Sequence, residues 1–121
     1  MRCKDTLFDM GEVLVSAEIN EILNTNIQYL AEINYILMIF YGNGHWSALE
    51  TKENIASNEM AIETGAGKIS ATYRTSLGKI RIVTESDRSC TRIMFISKVV
   101  LTEILSEYDI VTAIQTMNQV R

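Results

Sequence analysis

Apolar and polar positions alternate every second residue in three successive runs between residues 67 and 97. Ile69, Ala71 and Tyr73 share one face of the first run. Ile80 and Ile82 oppose Lys79, Arg81 and Val83 in the second. Ile93 and Phe95 oppose Arg92, Met94 and Ile96 in the third. A period of two carried by β-branched and aromatic residues predicts half-buried strands. Ser76-Leu77-Gly78 suits a hairpin loop, and Ser86-Asp87-Arg88-Ser89 is a second polar turn. The result is a three-stranded antiparallel meander with one covered apolar face and one wet face of Arg, Lys, Thr and Glu.

Before the meander the pattern predicts a short first strand within residues 8–16, where Val13 and Val15 alternate with Glu12, Leu14 and Ser16. Ser16 then stands as a helix N-cap, with Glu18 and Glu21 in the first turns where the dipole favours acids, and a helix follows over 17–23. Asn24-Thr25-Asn26 interrupts it. A longer helix is expected over 26–41, with Ile27, Leu30, Ile33 (or Asn34), Leu37 and Phe40 at helical spacing. Residues 36–40 are apolar nearly all round. That suits a helix buried on two sides, or an interface helix for self-association. Gly42-Asn43-Gly44 ends it. A third helix over 51–64 is capped by Thr51. Its apolar members are Ile55, Met60 (or Glu59) and Ile62, with Ala56 and Ala61 at close-packing positions. After the meander, Val100, Leu101, Ile104, Leu105, Tyr108 and Val111 form the stripe of a closing helix over about 98–119. The fold class is α+β: a short N-terminal strand and helices packed on a three- to four-stranded antiparallel meander, closed by a C-terminal helix.

Composition narrows the chemistry. At 121 residues the chain makes one domain, 1–121. A net charge of −4 argues against a broad basic footprint on nucleic acid and permits binding to a basic surface. Cys3 and Cys90 lack metal-ligand spacing and read as reduced thiols of a cytoplasmic protein. The N-terminus has no long apolar core, so no signal peptide is expected, and the apolar run 35–41 is too short to span a bilayer. No cofactor and no metal are implied.

Gly44-His45-Trp46, Asn58-Glu59 with Ala61, Ser70-Ala71-Thr72-Tyr73, Gly78-Lys79-Ile80, and Ile82-Val83-Thr84-Glu85-Ser86-Asp87-Arg88-Ser89 with Thr91 together form a pattern. It resembles a family of small proteins of plasmids and other mobile elements, known as plasmid-related proteins. The likeness covers about residues 8–96, and its most specific part is the stretch from Thr84 to Ser89. His45 stands where that family has Asp, Arg81 where it has an aromatic, and its Leu-Pro-x-x-Tyr after the last strand is absent. The resemblance implies a mobile-element context, with anti-CRISPR or anti-restriction roles in view, and no particular chemistry.

The candidate binding residues are Trp46, Asn58, Tyr73, Arg81, Glu85, Asp87, Arg88 and Arg92. Three readings follow. The first is a non-enzymatic binding protein that inhibits or modulates a host defence or nucleic-acid-processing complex by protein–protein contact, covering a basic surface. The second is a nucleic-acid-associated accessory protein using Arg74, Lys79, Arg81, Arg88 and Arg92 on the polar sheet face. The third is a small enzyme, which requires Glu85, Asp87 and His45 to converge. No phosphate-cradling loop or nucleophile elbow is present. A homodimer through helix 26–41 or the C-terminal helix is a further expectation.

Overall fold

Strand β1 (Glu12–Val15) opens the chain, followed by helices α1 (Ala17–Thr25) and α2 (Ile27–Tyr35). The path of α2 continues through a π-helical turn, Ile36–Phe40, and a 3-10 turn, Tyr41–Asn43. Helix α3 (Lys52–Thr64) then precedes β2 (Ile69–Thr75), β3 (Gly78–Thr84) and β4 (Cys90–Phe95). The computed structural model describes residues 6–96. The helix expected over 98–119, and Cys3, lie outside the described residues.

The local signals act as expected at most boundaries. As expected, Ser16 Oγ accepts the Ile19 N–H and Thr51 Oγ1 accepts the Asn54 N–H; Asn26, expected as the first residue of the second helix, is its cap, with Oδ1 accepting the Tyr29 N–H. Each pairs a donor that a helix start leaves orphaned. Gly44 and Gly65 end their helical segments at φ 72° and 76°, a conformation that costs glycine nothing.

The sheet corrects one expectation. Its order is β1-β4-β3-β2, and β1 runs parallel to β4, with Val13 opposite Thr91 and Val15 opposite Ile93. The sheet is therefore mixed; the meander β2-β3-β4 alone is antiparallel. Gly11 makes this pairing possible. A Cβ there would overlap the carbonyl oxygens of Arg88 and Ser89, so the chain can lie this close to the β3–β4 turn only without a side chain.

The core lies between one sheet face and the helices. Ile69, Ala71, Tyr73, Ile80, Ile82 and Ile93 face Ile19, Tyr29, Ile33, Ile36, Leu37 and Tyr41. Ile33 and Leu37 of the expected α2 stripe are buried, but its other members are not. Tyr29, Ile33, Ile36 and Leu37 are buried, while Ile27 is 79% exposed and Leu30 and Phe40 lie outward. Tyr29 can go inside because its hydroxyl meets Thr75 Oγ1 at 2.8 Å. The π-turn keeps Ile36 and Leu37 in the core while Ile39 and Phe40 turn outward.

Candidate functional site

The β2 edge of the sheet is closed by side chains. Asn58 Nδ2 donates to Ser70 O at 2.7 Å, and Ser70 N donates to Asn58 Oδ1 at 3.1 Å. Asn54 Nδ2 adds a bond to the same carbonyl at 2.9 Å. The Thr72 N–H donates to Glu50 Oε2, and Ser47 Oγ donates to Thr72 O. The outward backbone groups of Ser70 and Thr72 are thus all paired, which removes the template that a bare edge would offer. Asn58, expected as a binding residue, is 1% exposed and belongs to this closure. The apolar reading of α3 holds for Ala61, which is buried, and Ile62, which packs against the core, and fails for Met60. Its contact surface is a strand edge, so Asn58 and Ala61 are its buried residues and Met60 is 61% exposed.

The turn between β3 and β4 is held from within. Arg88 takes φ +62°. Its guanidinium donates to the carbonyls of Gly67, Glu85 and Ser86 and, through Nη2, to Ala61 O near the end of α3 at 3.0 Å. It therefore neutralises a helix C-terminus and clamps the α3–β2 connection to the turn. Among the described residues Arg88 makes no ion pair with the neighbouring Glu85 or Asp87. Asp87 Oδ1 accepts the Ser89 N–H at 2.9 Å, and the hydrogen bonds from Ser89 hold this exposed carboxyl below the usual carboxylate range.

Tyr73 is also structural: it is 4% exposed and its hydroxyl donates to His45 O at 2.9 Å. Burial pushes its ionisation well above the ordinary value, with Tyr41 and Glu50 adding to the shift. Thr84, the first residue of the expected turn motif, is fully buried. It joins Tyr41, Thr91 and the Met10 carbonyl in a hydroxyl chain through the core.

The other candidates do share a surface. In register, Arg74 sits beside Lys79, Thr72 beside Arg81 and Met94, and Ser70 beside Val83, Arg92 and Leu14. These residues point away from the helices. Arg81 lies across β2 with Nη1 on Thr72 Oγ1 at 2.8 Å and Nη2 on Ser70 Oγ at 2.9 Å. Glu85 receives Arg92 Nη1 at 2.8 Å and lies 3.8 Å from Lys68 Nζ. Among the described residues every lysine and arginine except Lys52 and Arg88 stands on this open face or its rim. The protein is acidic overall, yet this face is cationic, and Leu14, Val83 and Met94 give it a half-exposed aliphatic centre.

The three residues required for an enzyme are not brought together. His45 lies by Tyr73, across from Ile80 near the start of β3; Glu85 follows the end of β3. The rise along the intervening strand alone separates those ends by about 13 Å. Among the described residues no three His, Cys, Asp or Glu side chains are grouped to hold a metal ion, and Cys90 is a free thiol. No described helix is long and apolar enough to cross a membrane.

Two features escaped the sequence reading. One is the set Ser47, Glu50, Asn54 and Asn58 along the β2 edge. The other is a cavity beside Trp46, lined by Leu7, Asn43, Gly44, Glu59, Ile62 and Glu63. A polar stripe at positions 50, 54 and 58 was the available signal for the first. Comparison of the chain with protein-family models, with curated proteins and with solved structures found no match. The likeness to plasmid-related proteins rests on the sequence motif alone.

Proposed function

We propose that this is a small non-enzymatic binding protein whose open sheet face docks on a partner protein. The observation that carries the reading is the composition of that face: five cations around Leu14, Val83 and Met94 on a chain whose net charge is −4. A surface of aliphatic centre and charged rim is the ordinary make-up of a protein contact. The partner that fits it presents acidic residues around an apolar strip. This differs from the expected covering of a basic surface, for which, among the described residues, the acid-bearing helices are better suited.

Nucleic acid is the second reading, favoured by the clustering of cations. The chemistry of the face fits it less well. Single strands are bound by stacking on aromatics, and Tyr73 and Phe95 belong to the covered side. Two of the cations are also engaged by Glu85, and Arg88 is spent on carbonyls.

In the mobile-element context that the motif implies, the partner is a component of a host defence or nucleic-acid-processing complex of CRISPR or restriction type, met in the cytoplasm. The test is transformation of a plasmid, or infection by a phage, in hosts carrying such a system, with and without the protein. Protection is expected, and it should be lost on Lys79→Glu with Arg92→Glu. Unchanged uptake together with no recovery of a defence protein on pull-down would sink the reading. A gel shift that weakens steeply with salt would favour nucleic acid instead.

A further inference from the structure

The cavity beside Trp46 has a divided lining. Leu7, the indole and Ile62 make an apolar floor; Glu59 and Glu63, one turn apart on α3, make an acidic rim. Its volume is about 300 Å³, room for one side chain. Neither carboxylate has a hydrogen bond or ion pair with any described residue, although each stands beside a like charge, an arrangement that costs stability on a helix.

Two further observations concern the wall itself. Trp46 Nε1 is buried and has no acceptor among the described residues; the indole packs against Tyr41, at 6.1 Å between ring centroids. A buried donor left unpaired is unfavourable, and such groups gather where position serves a purpose other than stability. Gly44 also lines the space. A Cβ there would stand 3.4 Å from Leu7 Cδ1 and 3.7 Å from Trp46 Cζ2, between two of the walls. The absence of a side chain at Gly44 keeps the cleft open.

We propose that this cleft is a binding site for an alkyl-guanidinium or alkyl-ammonium group, the side chain of an arginine or lysine on a partner protein. The aliphatic stem would lie on Leu7 and Ile62, the cation would face the indole, and the charged head would be met by Glu59 and Glu63. A carboxylate or phosphate ligand is disfavoured by the same two acids. The inference goes beyond the docking reading, because the cleft lies by α3 and the Trp46 loop and shares no residue with the open sheet face.

Trp46 is the single tryptophan of the chain; its indole also borders a pocket with Phe40, His45, Ser47 and Tyr73, so its fluorescence is read together with the Glu59 and Glu63 variants, which alter this cleft alone. The full chain is titrated at constant ionic strength with N-acetyl-arginine amide, N-acetyl-lysine amide and N-acetyl-norleucine amide, the last an uncharged stem. A saturable change is expected with the two cations, with a Kd on the order of 1 mM for ligands of this size. The norleucine derivative should produce none. Glu59→Gln with Glu63→Gln alters exposed side chains only, so the fold is retained, and the cation affinity should fall by about tenfold or more. No saturable response to either cation overturns the proposal, as does an equal response to norleucine or an unchanged response in the double variant. Loss of the open-face contact by Lys79→Glu and Arg92→Glu would leave this titration unaltered, so the two readings fail separately.

Discussion

The side-chain amide of Asn58 occupies the place of a missing strand beside Ser70. It accepts the Ser70 N–H at 3.1 Å and donates to the Ser70 carbonyl at 2.7 Å, the two bonds a neighbouring strand would make. Replacing it by Leu, which is close in size, leaves that N–H buried without a partner, while Asn54 still serves the carbonyl. Asn58→Leu should therefore cost about 2–3 kcal/mol. Asn58→Asp separates hydrogen bonding from shape. Its carboxylate oxygen would face the Ser70 carbonyl at neutral pH, whereas its protonated form could donate to it. The folded-state pKa of that Asp is expected to be raised, so its stability should be fuller at acid pH and decline as the pH rises through that pKa. Urea denaturation of the two variants across pH checks both statements, and equal midpoints for Asn58→Asp at acid and neutral pH would contradict the second.

The same residue shows where the sequence was legible and where it was not. Period-two alternation located β2, β3 and β4 to within one or two residues, because each strand has one apolar face and a slip would turn that face outward. Caps located α1 and α3 for an equally local reason: Ser16 and Thr51 bond to N–H groups three residues on. The faces of helices were legible only in part: Ile33, Leu37 and Ala61 are buried as expected, whereas Ile27, Leu30 and Met60 are exposed. Helix α3 rests on a strand edge, so its contact side carries the polar residues Asn54 and Asn58, continued by Glu50 just before the cap, and a search for apolar periodicity selects Met60 instead. Parallel pairing of β1 with β4 is a contact across most of the chain, and no local pattern encodes it. Of the candidate site residues, Arg81, Glu85 and Arg92 meet on the open face, while Asn58, Tyr73 and Arg88 are spent on the fold.

Arg88 offers a test of that last assignment. Arg88→Ala removes the bonds to the Ala61, Gly67, Glu85 and Ser86 carbonyls and keeps a left-handed backbone, for a loss of about 2–4 kcal/mol. Arg88→Gly removes the same bonds and relieves the backbone, so it should be milder by about 1 kcal/mol. If thermal unfolding ranks the two the other way round, the strain at this position is not what the geometry implies. Arg88→Lys cannot reach α3 and the turn together and should fall near Arg88→Ala.

The hydroxyl chain through the core has four contacts and three protons. Tyr41 Oη donates to Ile69 O at 3.0 Å and Thr91 Oγ1 donates to Met10 O at 2.7 Å. Those carbonyls can only accept, so both protons are committed. Thr84 then holds a single proton between Tyr41 and Thr91, each 2.7 Å away. Thr84→Val keeps both carbonyls paired and should cost about 1 kcal/mol; Thr91→Val strands the Met10 carbonyl and should cost about 2–3 kcal/mol. Denaturant midpoints of the two variants decide it. A Thr84→Val variant as damaging as Thr91→Val would mean that the middle hydroxyl contributes more than one proton can supply.

Tyrosine burial predicts how the fold responds to alkali. Burial raises the ionisation of Tyr41, Tyr73 and Tyr29 above the ordinary 10.0, partly offset at Tyr41 by the Thr84 hydrogen bond and at Tyr29 by that from Thr75. In each case the neutral hydroxyl is favoured by the folded state. Below pH 10 both states hold the proton, and stability does not depend on these groups. Above it the unfolded chain ionises first, so the folded chain binds more protons and stability falls as the pH rises. Tyr41, the most enclosed, should contribute at most about 1.4 kcal/mol per pH unit in that window. Tyr41→Phe starts from a lower stability, having lost its hydrogen bonds, but should show a shallower decline above pH 10. Urea midpoints taken from neutral pH into this range, alongside the ultraviolet absorbance of tyrosinate, measure both quantities. Tyrosinate absorbance for Tyr41 appearing ahead of unfolding would show that its hydroxyl is open to water and not sealed behind Thr84 and Ile69.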